Sequence, residues 1–276
     1  MMNRVMRSYE ELNFSDDFMF CKVLINNLDL CKELLELVLD VPIREIRISN
    51  SQKSIDITYD GKGVRFDVYV EDEANTVYDI EMQNITRKDL PKRMRYYQGM
   101  IDLNLIEKGS SYNELRKSYI IFICKEMPFE KNLPVYTFKN VCVQDNSISL
   151  GDDTVKVVLN ASGNREGLSS EMCAFLDFVK ENKVESKLTK DLQNAVNAAI
   201  SKKEWEVEYM TWNLALQDAK IEGREEGIEQ GIESTIRTFK KYDAEDDVII
   251  SSLMEDYGLS KEEAKERLKI YSENQV

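Results

Sequence analysis

Tyr119 to Cys124 reads YIIFIC, an apolar run closed at once by Lys125 and Glu126. A segment this short is a strand rather than a helix, and it has no polar side to turn to water, so both of its faces need cover. That requires a sheet with helices packed on it. The flanking segments supply them. NFSDDFMFCKVLINNLDLCKELLELVLD (13–40) has Phe20, Val23, Leu24, Leu34, Leu35 and Val38 at helical spacing. Ser15 or Asp16 stands where it would cap the start and Pro42 follows the end, so a helix or helix pair opens the domain.

From 43 to 83 the apolar period changes to two, most clearly in SIDITYDGKGVRFDVYV and TVYDIEMQ. RKDLPKRMRYYQGMIDLNLIE (87–107) returns to helical spacing, with Leu90, Met94, Tyr97, Ile101 and Leu105 on one face. VYTFKNVCV (135–143) and TVKVVLNA (154–161) read as further strands. The order predicts a mixed α/β class around one sheet. Beyond about residue 166 the pattern is helical to the end. The expected domains are 1–165 for the sheet, 166–235 for a helical extension, and 236–276 for a small helical hairpin that stops at Gly258 and restarts on a capping box from Ser260 to Glu263.

The extension contains IEGREEGIEQGIES, with Gly223, Gly227 and Gly231 on one helix face. Each costs about 1 kcal/mol against alanine inside a helix. Two readings account for them: close approach by a neighbouring backbone, as in a homo-oligomer, or a charged, frayed linker helix.

Composition removes much chemistry. The chain has no histidine, which excludes Ser-His-Asp and Cys-His nucleophiles and imidazole-bound zinc. Its five cysteines form no CxxC pair, and Cys21, Cys31, Cys124 and Cys173 lie in apolar or helical patterns, so buried reduced thiols are expected. No apolar stretch approaches the roughly 18 residues of a membrane span, and the opening lacks a signal-peptide core, so a soluble, cytoplasmic protein is expected. The net charge of −14 is uneven: residues 1–150 carry 20 basic against 24 acidic side chains, and residues 151–276 carry 17 against 27. An enzyme built from this chain must work with carboxylates, Lys, Arg or an oxygen-bound metal.

FDVYVEDEANTVYDIEMQ (66–83) concentrates such groups. Alternation puts Asp79, Glu81 and Gln83 on one face of the second strand, opposite Tyr78, Ile80 and Met82. On the first strand Arg65, Asp67 and Tyr69 oppose Val64, Phe66, Val68 and Val70. A short loop centred on Ala74, with Asn75 left-handed, pairs Asp67 with Glu81, Tyr69 with Asp79 and Arg65 with Gln83. Facing carboxylates repel. Either they hold a divalent cation, or they belong to the solvent face of an edge hairpin in a different register.

The helix before Asp67, the strand Tyr78–Gln83 and the basic helix with Arg95, Tyr96 and Tyr97 together resemble the PD-(D/E)xK nuclease superfamily. More narrowly, FSDDFMFCKVL, EDEANTVYDIEMQ and EGREEGIEQG resemble its recombination-promoting nuclease and transposase branch. The resemblance implies a restriction-endonuclease-like mixed central sheet flanked by helices. It also implies a DNA endonuclease in which Asp67 and Glu81 bind Mg²⁺, or Mn²⁺, with Asp79 as an auxiliary ligand or a solvated neighbour. Asp17 and Lys22 match the branch's opening motif. Gln83 stands where the superfamily has lysine, so the positive charge is missing unless Arg65 supplies it from the facing strand. Arg87, Lys88, Lys92, Arg93 and Arg95 are the expected phosphate contacts and Tyr96 a stacking partner. The competing expectation is a nuclease fold that has lost catalysis and binds DNA, or scaffolds an oligomer.

Overall fold

A computed structural model describes residues 7–48 and 65–273. Strand β4 (Ser118–Cys124) runs between two parallel neighbours, β3 (Val77–Gln83) and β6 (Thr154–Asn160). Ile120, Ile121, Phe122 and Ile123 are all buried, each worth on the order of 1.5–3 kcal/mol. The sheet extends to order β1-β2-β3-β4-β6-β5, with β1 (Ile46–Ile48), β2 (Val68–Asp72) and β5 (Val135–Phe138) antiparallel to their neighbours.

Parallel β3 and β4 need a crossover, and α3 (Leu90–Leu105) provides it. Its Leu90, Met94 and Ile101, helped by Tyr97 and Leu105, cover a sheet face of Tyr69, Val77, Ile120, Phe122 and Val158. This is the stripe expected from spacing. The opening helix pair is α1 (Asp17–Asn26) and α2 (Leu28–Leu39); α1 packs on β2 and α2 on β1. Asp16 sits at the cap of α1, but its side chain accepts from Asn13 N and Arg7 instead of capping.

Helices α4 (Ser170–Glu181) and α5 (Lys187–Ile200) pack on α2 and on each other, α5 also on α1, and Tyr9 Oη donates to Ala199 O at 2.8 Å. The chain divides into two units after Glu206, inside the long helix α6 (Lys203–Lys241). The division falls inside the expected extension of 166–235: residues 166–206 group with the sheet and residues from 207 with the second unit. In the second unit Ile232 and Ile236 of α6 form a core with Ile249, Ile250 and Leu253 of α7 (Asp246–Tyr257) and Ala264 and Leu268 of α8 (Lys261–Glu273). Gly258 ends α7 at φ 69°, and Ser260 and Glu263 exchange hydrogen bonds at the start of α8, as the sequence predicts. No helix among the described residues is long and apolar enough to cross a membrane.

One expectation needs correction. The strand of VYTFKNVCV ends at Phe138, which pairs with Lys156; beyond it the segment leaves β6 and pairs with 148–150 instead, through the bridge Val141 to Ser149, with Cys142 N donating to Ile148 O and Leu150 N to Asn140 O. The strand expected over SIDITY lies outside the described residues. Within the chain itself, a Cβ on Gly223 or Gly227 would meet nothing within 4 Å, whereas at Gly231 it would lie 3.0 Å from Tyr257 Oη.

Gly223→Ala and Gly227→Ala should therefore each stabilise the second unit by about 0.5–1 kcal/mol. Gly231→Ala should gain less or destabilise, because Tyr257 is held by Thr235 Oγ1 at 2.8 Å. Urea titrations followed by helical circular dichroism would compare the three.

Candidate active site

The hairpin forms with the expected register: Val68 opposes Ile80, Tyr69 opposes Asp79 and Val70 opposes Tyr78, and Asn75 adopts φ 61°. Continued one step, that register sets Asp67 against Glu81. Here the ladder changes partners. Asp67 N donates to Glu81 Oε1 at 2.9 Å, and Met82 N donates to Asp67 Oδ2 at 3.0 Å. Two carboxylates have taken main-chain donors, which is why β2 begins only at Val68. Residues 65–67 leave the pleat, so Phe66 turns against Tyr69 and Tyr97 instead of joining Val68 and Val70.

The acidic face of β3 does not meet solvent. Asp79, Glu81 and Gln83 are buried under α3, and every residue of β3 is buried. The solvent-exposed edge hairpin is excluded. Asp79 is wholly buried and neither of its carboxyl oxygens has a hydrogen-bond donor. It stands two residues from Glu81, and neither group can donate to the other unless one holds a proton.

The electrostatics follow. Burial, then the charges of Glu81 and Asp67, push Asp79 well above the usual carboxylate range. Burial and the Asp67 charge push Glu81 up to about 8, against relief from Asp67 N–H and Arg93. Burial, with Asp17 adding to it, pushes Asp67 up to about 6, while Met82 N–H, Arg93 and Arg65 oppose the rise. Burial and the same carboxylates also raise the Cys21 thiol, which removes it as a thiolate nucleophile. All five cysteines are free.

Among the described residues, the cation in contact with this cluster is not the one the sequence suggested. Arg93 Nη1 donates to Gln83 Oε1 at 2.5 Å, Nη2 donates to Tyr97 Oη at 3.1 Å, and Nη2 lies 3.7 Å from Glu81 Oε2. Its guanidinium also lies over the rings of Phe122 and Tyr97, at 5.2 and 5.5 Å. Gln83 Nε2 donates to Ile85 O at 2.8 Å, so both ends of that amide are engaged. Arg65, expected beside Gln83, is exposed ahead of the ladder's first pair; its charge reaches Asp67, but the contact to Gln83 belongs to Arg93. Helical spacing contained the signal: Arg93 is three residues after Leu90 and four before Tyr97, on the inner stripe.

The basic segment therefore splits. Arg93 turns inward, while Arg87 makes a two-point pair with Asp89 at 3.0 Å for each bond. Lys92, Arg95 and Tyr96 are exposed on the outer side of α3, and Lys88 is exposed in the turn just before it. Asp17 is exposed near the carboxylates, tied through Asn84, whose Nδ2 donates to Asp17 Oδ1 at 2.9 Å and Ser15 O at 2.7 Å. Lys22 lies over the rings of Phe18 and Trp205, 5.6 Å from each.

Among the described residues no three His, Cys, Asp or Glu side chains converge at metal-ligand spacing. A cation of the magnesium type needs less, since it binds through one or two carboxylates and completes its shell with water and substrate phosphate. Asp67 and Glu81, positioned by reciprocal main-chain bonds, and the donor-less Asp79 fit that demand.

A family model described as PD-(D/E)XK nuclease family transposase matches residues 15–154. No curated protein and no solved structure matches the chain.

Raised carboxylates make stability pH-dependent. The unfolded chain releases these protons near pH 4, but the folded chain releases them at about 6 for Asp67 and about 8 for Glu81. In EDTA the thermal midpoint should therefore fall as pH rises from about 5 to 8. Asp79→Asn, which brings an amide donor to Glu81, should lift the pH 8 midpoint and flatten that fall. Melting curves across the interval would show it; an unchanged slope would mean Asp79 does not set it.

Proposed function

The chain belongs to the PD-(D/E)XK nuclease family transposases, whose model spans half of it, and on that premise we propose that it is a divalent-metal-dependent DNA endonuclease. The observation that carries the reading is the buried acidic face of β3, with Asp79 wholly enclosed and without a donor beside Glu81 and Asp67. Such a cluster is costly unless a proton or a cation offsets it. Asp67 and Glu81 would hold the cation, Mg²⁺ or Mn²⁺, with Asp79 behind them. When bound, the metal supplies charge that polarises a phosphodiester and makes water a better nucleophile.

The chain's own residues account for the rest. Arg93 places a permanent positive charge at the carboxylates, where it stabilises negative charge developing on the phosphate. Gln83, with both amide ends engaged, is a positioning residue that holds Arg93 rather than water. Neither residue takes up a proton at neutral pH, so the proton released by the attacking water passes to a carboxylate or to solvent. Lys92 and Arg95 on the exposed face of α3 and Lys88 in the turn before it are the phosphate contacts, joined by Arg87 once it parts from Asp89, and Tyr96 is positioned for stacking. Strand breaks made in this way are starting points for recombination.

The test is nicking and linearisation of supercoiled plasmid with Mg²⁺ or Mn²⁺, against EDTA and Asp67→Asn. Cleavage requiring both the cation and Asp67 is expected. Binding without cleavage by folded protein would instead make the chain a nuclease fold retained for holding DNA, with the departure at Gln83 as its cause.

Two further outcomes separate the arginines and the helix face. Arg93→Ala should lower the cleavage rate on the order of 10²-fold, with Arg93→Lys recovering part of it and Arg65→Ala losing far less. Lys92→Ala and Arg95→Ala should each weaken DNA binding and reduce its salt dependence by about one phosphate contact, read from affinity against salt.

A further inference from the structure

Helix α6 carries an apolar stripe that is covered at one end and bare at the other. Ile232 and Ile236 pack into the core formed with α7 and α8. On the same side of the helix, within an arc of about 80°, lie Val207, Met210, Leu214, Ile221 and Ile228. These five are 40–61% exposed. Between Val207 and Ile228 the helix buries only Tyr209.

The spacing of the bare part is informative. Val207, Leu214, Ile221 and Ile228 recur every seven residues, a repeat that keeps one seam facing a helix running alongside. Taking them as the a positions puts Met210, Gln217 and Arg224 at d, Asp218 and Glu225 at e, and Asn213 and Lys220 at g. In a parallel pair Lys220 of one chain meets Glu225 of the other, opposite in charge. An antiparallel pair would instead set the acidic e positions of the two chains, Asp218 and Glu225, against each other. Gln217 and Arg224 cost stability at d, but polar residues in a seam fix its register, and the arginine stem remains apolar.

We propose that a second copy of this chain covers the bare stripe, through a parallel two-helix seam along residues 207–228 of α6. This places the contact on the apolar stripe. The glycines that first suggested self-association are off it or, at Gly231, already met by Tyr257.

Sedimentation velocity of the full chain tests this, and it reads mass rather than cleavage, so its outcome does not depend on the nuclease reading. The expected species has about twice the chain mass of 32.1 kDa. The double variant Leu214→Asp/Ile221→Asp should retain its helical spectrum, since both positions are exposed, and raise the dimer dissociation constant on the order of 100-fold. Lys220→Glu and Glu225→Lys should each weaken the dimer about two- to fivefold at low salt, and the two together should restore it. Wild-type protein of single-chain mass at every concentration would overturn the proposal, as would a dimer indifferent to the aspartates. Charge variants that weaken singly and are not rescued together would overturn the parallel pairing.

Discussion

Asp67 and Glu81 hold each other in place by trading main-chain donors across the hairpin, Asp67 N to Glu81 and Met82 N to Asp67. Ordinary ladder bonds would have extended β2 and sent both side chains wherever the pleat directed. Captured amides instead stop the strand, fix both carboxyl groups beside β3, and release Phe66 to pack under α3. A repulsive pair is thus held together by bonds to neutral backbone. Such bonds favour the ionised form, and burial opposes them strongly enough to keep both groups above their usual range.

Helix α3 completes the arrangement. Its apolar stripe supplies the adhesion, with Leu90, Met94 and Ile101 on Ile120 and Phe122. The same stripe carries one charge inward at Arg93. That guanidinium is supported by Gln83, Tyr97 and the Phe122 ring, so its position is set by packing as well as by charge. The crossover that parallel β3 and β4 require thereby delivers a cation to the acidic face of β3. The exposed bases of α3 remain on its other side, away from the buried centre.

The second unit follows a different logic. Its hairpin of α7 and α8 covers only the end of the α6 stripe, and the remaining turns keep apolar residues at 40–61% exposure. A seven-residue repeat is a pattern for a neighbour, not for solvent. Gly223 and Gly227 leave open space where side chains would be and contribute no packing of their own.

Local rules were enough for the elements. The YIIFIC run had to be a central strand because it has no polar side, the stripe Leu90 to Leu105 had to be the inner face of a helix, and Asn75 and the number of loop residues fixed the hairpin register. The acidic pair was legible for the same reason: period two and a tight turn decide which residues face each other. Three things were not local. Whether the acidic face was wet or buried depended on where α3 landed. Which arginine reached it depended on the ladder breaking at Asp67, which moved Arg65 away and left Gln83 to Arg93. Where the first unit ended depended on α4 and α5 packing back on α2. Pairing, alternation and capping are properties of a few neighbouring residues; burial and charge contacts are sums over elements distant in sequence, and only the folded chain sets them.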